Sequence, residues 1–425
     1  MKLVSYWLDT AKPAGDFRRT ELPAWADVVV VGAGLTGLST ALHLARQGAD
    51  VALLEANTVG WGASGRNGGM ATPGLAIGFP TAVRRYGAGR AAAMFQAYND
   101  AIDTVEEVVA TEGIDCSFER TGRLTLACKP GHYSSFERSA EQMRSLAGQD
   151  VELIPKSRLS EEIGSPHYHG GMVDPLGAAV HVGQLTAGLA GAAAGYGASI
   201  HEQCRVIELH RREGYVHDVR TDMGTIRAGQ VVMATSGYTG SVTPWLRRRI
   251  VPIGSFIVVT EPLDDKTVEE LLPNRRVASD SNHLLYYFRI TPDNRLLFGG
   301  RARFAVSNRD SDLKSGRILQ RGMVKVFPQL ADTRIDYCWG GLVDMTLDQM
   351  VHAGERDGVF YSVGYSGHGV QMATHMGKVM AQMLGGDVSA NIWQDLRFRA
   401  VPGHFGPPWF LPPTGAFFKF LDLVS

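Results

Sequence analysis

The chain has 425 residues, two to three times a typical domain, with 44% apolar and 20% charged side chains. That composition excludes disorder and fibrous repeats, and 42 basic against 43 acidic residues leave no basic excess of the kind a nucleic-acid surface needs. Glycine is the anomaly: 50 residues, against about 30 at the average usage of about 7%.

The opening MKLVSYWLDTAKP lacks the unbroken apolar core of a secretory signal, and no N-x-S/T site follows. Cys116, Cys128, Cys204 and Cys338 are too scattered for a disulfide framework or a metal site. The expectation is a cytoplasmic chain with no metal and no membrane insertion. Asp27–Val31 is a β-branched run that reads as a buried parallel strand. It feeds Gly32-Ala33-Gly34-Leu35-Thr36-Gly37, a GxGxxG turn, and then a helix carrying Leu35, Leu38, Leu42 and Ala45 on one face. Although Val28–Ala45 holds no formal charge, its glycines, His43 and its change of period point to strand, turn and helix rather than a membrane span. Asp50–Leu54 is the second strand and ends at Glu55. Gly32 permits the tight turn, Gly34 lets backbone approach a pyrophosphate, and Gly37 lets helix and strand pack closely. The helix N-terminus supplies amide donors, and Glu55 is placed to accept from an adenosine ribose. All the parts fall in order, which makes this a dinucleotide site.

Five of the eleven residues from Gly60 to Met70 are glycine (GWGASGRNGGM). Such a loop exposes backbone amides at conformations glycine adopts cheaply. A second cradle so soon after Glu55 exceeds what a nicotinamide cofactor needs and suits a longer one lying over the sheet. Other catalytic signatures fail: there is no HExxH or GxxxxGK[ST], and Gly62-Ala63-Ser64-Gly65 is one residue short of GxSxG.

The run GAGLTGLSTALHLARQGADVALLEA, followed by VGWGASGRNGGM, resembles the D-amino-acid-oxidase-type FAD-dependent oxidoreductases. Within them it is most similar to the γ-glutamylputrescine-oxidase-like branch, kin to sarcosine and glycine oxidases. The likeness continues through Asp174–His181 and its following helix around Leu185–Gly197, then through Thr225–Gly237, and through Gly364-Tyr365-Ser366-Gly367-His368-Gly369-Val370-Gln371. It leaves out about the first 20 and the last 25 residues. It implies an α/β fold: a Rossmann-type FAD-binding domain built from residues 25–111, 175–248 and 335–400, and a substrate domain with an antiparallel sheet from 112–174 and 249–334, with 401–425 as a docked tail. FAD, held non-covalently, would contact residues 32–37, that is Gly32, Ala33, Gly34, Leu35, Thr36 and Gly37, together with Glu55 and Ala56. Gly62, Ala63, Ser64, Arg66, Asn67, Gly68, Gly69 and Met70 would serve its middle and ring. Val206, Ala234, Thr235 and Gly237 would lie under the adenosine. Gly364, Gly367, His368, Gly369, Val370 and Gln371 would meet the pyrimidine edge, where amides opening a helix stabilise the negative charge of reduction. His368 either adds a donor there or is held within the turn; Arg66 reaches the cofactor or lies at the surface.

In the substrate half, Phe256–Thr260, His283–Ile290 and Arg295–Arg301 read as strands, the last two joined as a hairpin by Thr291-Pro292-Asp293-Asn294. With Arg123–Cys128 they would form the antiparallel sheet capping the flavin. Alternation puts Tyr287 and Arg289 on one face, and Tyr286 and Phe288 on the other. Tyr287 either packs in the core or joins an aromatic box for an amine, and Trp61 either walls the site or packs outside its loop. Set beside sarcosine oxidase, a carboxylate-gripping lysine becomes Gln371, the lysine linked to oxygen reactivity becomes Leu297, and an active-site histidine becomes Arg301. The flavin-linking cysteine position falls on Gly341, with Cys338 three residues earlier. The resemblance implies oxidation of a C–N bond, γ-glutamylputrescine-like amines foremost, with catalytic candidates Tyr287, Arg301, His368, Gln371 and Trp61. The partners expected are an amine or amino acid and O2 or another acceptor. A dehydrogenase of a secondary or cyclic amino acid and a non-catalytic flavoprotein subunit stay open. The proline-rich tail, with Phe405, Trp409 and Phe410, is expected extended and docked, since exposed aromatics are costly.

Overall fold

The computed structural model describes every residue except 19, 301–308, 407, 412, 414, 418–421 and 423–425. Two large sheets organise it. The first contains the strand order His352–Arg356, Val359–Val363, Thr225–Met233, Trp25–Val31, Val51–Leu54, Ser199–His201. Its central pairs are parallel, and an antiparallel extension, Val206–Arg211 and His217–Thr221, runs off Thr225–Met233. Val28–Val31 alternate between two apolar clusters, one on each face of this sheet, as a central strand covered on both sides must. The helices Leu35–Arg46, Ala88–Glu112, Val182–Gly195 and Gly369–Leu384 pack over one face. Among the described residues no helix is long and apolar enough to cross a membrane.

The second sheet runs Ile335–Met345, Val251–Thr260, Leu296–Gly300, Tyr286–Ile290, Val277–Asp280, Arg123–Leu126, Gly170–Asp174, Glu152–Pro155. All its pairs are antiparallel save Val277–Asp280 with Arg123–Leu126, because the chain enters these two strands from distant segments. Alternation along the hairpin holds: Tyr286 and Phe288 pack with Phe298 and Phe327 behind the sheet, while Tyr287 and Arg289 face the nucleotide-binding side. Ile335–Met345 pairs along ten residues with Val251–Thr260.

Two regions lie outside the family likeness. The N-terminal segment is built in: Trp7 is fully buried, and its helix, Tyr6–Thr10, packs on Val182–Gly195. The tail docks through Val401, His404 and Leu411, with His404 Nε2 2.9 Å from the Ile250 carbonyl. Its aromatics do not all follow, however: Phe405 and Trp409 stay 72% and 71% exposed, because a turn rather than an extended strand carries them.

Candidate functional site

An elongated cavity of about 740 Å³ runs along the C-terminal ends of the parallel strands and under the second sheet. This is where an open α/β sheet binds ligands, since strand ends and helix N-termini converge there. At one end Glu55 closes the second strand. Its carboxylate accepts from Ala33 N at 2.9 Å and Asn57 N at 2.8 Å, and burial pushes its pKa up. Ala56, Asn57, Arg205 and Val206 complete that end.

The middle is the GxGxxG turn. A Cβ on Gly32 would sit 2.8 Å from the Ala234 carbonyl, and one on Gly34 would sit 2.8 Å from Ser64 Oγ, which accepts from Leu35 N. Gly37 is the packing glycine: a Cβ there would lie 1.9 Å from the Gly32 carbonyl.

The loop from Gly60 to Met70 forms one wall. Only Gly60 and Gly69 adopt positive φ; the others are glycines for want of space, Gly65 against the Gly60 carbonyl and Gly68 against the Tyr287 ring. Its carbonyls are held from the body of the protein. Ser5 Oγ donates to Gly65 (2.6 Å), Trp339 Nε1 to Arg66 (3.0 Å), Trp7 Nε1 to Asn67 (2.7 Å) and Arg289 Nη1 to Gly69 (2.5 Å). The buried Arg289 also donates to the Val180 and Ile290 carbonyls, and burial lowers its pKa to about 10.

Tyr287, its hydroxyl 3.0 Å from Ser255 Oγ, lines the cavity together with the turn Ser366–His368 and the N-terminus of the helix Gly369–Leu384. Asp344, fully buried, accepts from Gly364 N at 2.7 Å and so sets the turn; burial raises its pKa to about 6.

The cavity gathers most of the expected residues: Gly32, Gly34, Leu35, Thr36, Glu55, Ala56, Trp61, Gly62, Ala63, Ser64, Arg66, Asn67, Gly68, Met70, Val206, Ala234, Thr235, Tyr287, Gly367, His368, Gly369 and Val370 all line it. Trp61 walls it, stacked 4.9 Å beneath the Arg66 guanidinium and edge-on to Tyr238. Six expected contacts lie one layer back. Ala33, Gly37, Gly69, Gly237 and Gly364 shape the turns instead. Gln371 is turned away, fully buried with its Nε2 on the Thr72 carbonyl at 2.6 Å. Asn67 lines the cavity, but its side chain ties the loop to itself through the Ala63 and Ser64 carbonyls and Gly69 N. Arg301 lies outside the described residues. Leu297 is fully buried in the core. Cys338 packs behind the sheet against the Asp312 carbonyl with its pKa pushed up to about 12, while Gly341 lines the cavity. Sequence reasoning missed Ser5, Trp7, Arg123, Ser255, Ser279 and Asp344, none of which sits in a motif.

The donor set fits FAD. An acid stands at the ribose end, a glycine turn where a Cβ would intrude on the neighbouring backbone occupies the pyrophosphate stretch, and a helix N-terminus faces the ring end. A probable oxidoreductase named OrdL from Haemophilus influenzae is 34% identical over 406 residues, 94% of this chain and 92% of that one. The γ-glutamylputrescine oxidoreductase of Escherichia coli is 34% identical over 385 residues, 90% of this chain and 89% of that one. The crystal structure of glycine oxidase from Geobacillus kaustophilus superposes with a TM-score of 0.73 at 21% identity, over 90% of this chain and 99% of that one. The model of the DAO family, FAD dependent oxidoreductases, matches residues 27–383. The chain belongs to that family and is an FAD-dependent oxidoreductase of the amine and amino-acid oxidase type.

Proposed function

We propose that the chain oxidises the C–N bond of an amine or amino acid, a γ-glutamylputrescine-like amine foremost, with FAD held non-covalently. The observation that carries this reading is that Tyr287, Arg66 and the turn Ser366–His368 line the same cavity as the glycine turn and Glu55, which are built for a nucleotide. The chemistry FAD supplies when bound is acceptance of a hydride at N5 from the carbon beside the nitrogen, with release of both electrons to O2 as hydrogen peroxide. The imine left behind hydrolyses to a carbonyl and an amine or ammonia.

Hydride donation needs the nitrogen lone pair, hence an uncharged amine. Arg66 and Arg123 on the cavity wall disfavour an ammonium. Asp344 offsets them only in part, since it is buried and one of its oxygens already accepts from Gly364 N. Amide dipoles of Gly369 and Val370 point their positive ends at the cavity and favour a group that gains electrons. Tyr287, pinned by Ser255 and seated on Gly68 and Gly299, offers a fixed aromatic surface against which an amine is oriented.

The test is an absorbance spectrum of the purified protein, followed by anaerobic addition of amines and amino acids. Bleaching of the flavin band by at least one of them is expected; a panel that leaves it untouched sinks the reading. A second reading, transfer of electrons to an acceptor other than O2, is favoured by one observation: no lysine lines the cavity among the described residues, and Leu297 is in the core. Reoxidation in air far slower than with an artificial acceptor would decide for it.

A further inference from the structure

The cavity contains a cation that neither the cofactor reading nor the aromatic wall uses. Arg123 begins the strand Arg123–Leu126 and lines the cavity with Thr72, Ser279 and Tyr287. Nη1 is fixed, donating to the Pro73 carbonyl at 2.8 Å. The opposite edge is not: Nη2 reaches Ser279 Oγ only at 3.5 Å, and Nε is buried with no hydrogen-bond partner. Among the described residues Arg123 makes no ion pair. Asp174, opposite it in the sheet, has its Oδ1 on Leu176 N and the Gln149 amide. Burial depresses the Arg123 pKa, and the charge of nearby Asp174 offsets that only in part. Ser279 lies directly across the sheet from Tyr287, so this edge lies next to the proposed amine surface.

An arginine edge made of Nε and one Nη is the fork that grips a carboxylate at two points. We propose that Arg123, assisted by Ser279, forms an anion subsite that takes a carboxylate of the amine substrate. The proposal rests on the reading that this cavity oxidises an amine, and it narrows the class: a substrate bearing one carboxylate beside its reacting amine is selected over a purely cationic polyamine. Among the described residues the acidic side chains lining the cavity are Glu55, held by Ala33 N and Asn57 N at the ribose end, and Asp344, held by Gly364 N. One guanidinium and one hydroxyl match a single negative charge, so a carboxylate rather than a phosphate is the occupant. With Gln371 turned toward Thr72, this fork takes the anchoring role that the helix start does not fill.

The experiment uses the FAD-loaded full chain and titrates butanoate, butanamide and inorganic phosphate against the flavin absorbance band, which requires no turnover. The wild type is expected to bind butanoate and not butanamide. Arg123→Met is expected to weaken butanoate tenfold or more, Arg123→Lys less, and Ser279→Ala a few-fold, all with unchanged flavin content. The subsite is overturned if the wild type does not bind butanoate, binds the amide equally well, or prefers phosphate. It is also overturned if Arg123→Met keeps wild-type butanoate affinity; should that variant not fold, Arg123→Lys and Ser279→Ala decide by the same measure. Failure of the two readings is distinguishable. Arg123-dependent butanoate binding with no amine bleaching the flavin rejects the reaction and keeps the subsite. An amino acid and its primary amide bleaching equally fast, in wild type and variant alike, rejects the subsite and keeps the reaction.

Discussion

The indole Nε1 of Trp7 donates to the backbone carbonyl of Asn67 at 2.7 Å, tying the seventh residue to the loop that walls the cavity sixty positions later. Trp7→Phe keeps the buried ring but leaves that carbonyl unmet, at a cost of about 1–3 kcal/mol. Flavin content after dialysis is expected to fall several-fold, with a modest drop in Tm. Full flavin retention would show that the loop holds its shape without Trp7.

Asp344 gives the fold a pH signature. Its pKa is raised from 3.8 to about 6 by burial, so between these values the folded state binds more protons than the unfolded one. Its contribution to stability is full below about pH 4 and is lost as pH rises through about 6, a change of roughly 3 kcal/mol. Asp344→Asn keeps an acceptor for Gly364 N and does not titrate. The wild-type Tm minus the variant Tm is therefore expected to fall from pH 4 to 6 and to level off above. A flat difference refutes the assignment.

Gly299 lies directly opposite Tyr287, and a Cβ there would meet its ring at 2.3 Å. Gly299→Ala is expected to displace the ring while sparing the nucleotide end. Flavin content should stay whole as kcat/KM for the best amine falls by about 100-fold, the scale of an ångström-sized misplacement. Equal turnover would remove Tyr287 from the substrate surface.

Gln371 separates a supporting residue from a substrate contact. Gln371→Leu leaves the Thr72 carbonyl unmet, costing about 1–2 kcal/mol, partly offset by losing the buried Oε1 that has no hydrogen-bond partner. Tm is expected to drop while KM stays within about twofold. A large rise in KM at unchanged Tm would return Gln371 to the substrate.

What the sequence made legible is local. The turn from Gly32 to Gly37 and the alternation of Tyr287 with Phe288 depend on residues a few positions apart, whose spacing dictates direction. Gln371 misled because the third position of a helix does not state which side the side chain takes, and the Thr72 carbonyl that claims it is 299 residues away. The pairing of Ile335–Met345 with Val251–Thr260, the burial of Trp7 and the unpaired edge of Arg123 are likewise long-range facts without a local pattern. The tail aromatics Phe405 and Trp409 obeyed turn geometry rather than hydrophobicity.

Four carbonyls of one loop are drawn toward the body by Ser5, Trp339, Trp7 and Arg289. The negative ends of those peptide dipoles therefore point out of the cavity, and the wall gains positive potential from orientation alone. A chain of net charge −1 can in this way attract a phosphate-rich ligand without a basic surface. Mobile ions screen buried dipoles poorly, so flavin retention is expected to be nearly the same at 0.05 M and 1 M salt, the opposite of a site assembled from surface lysines.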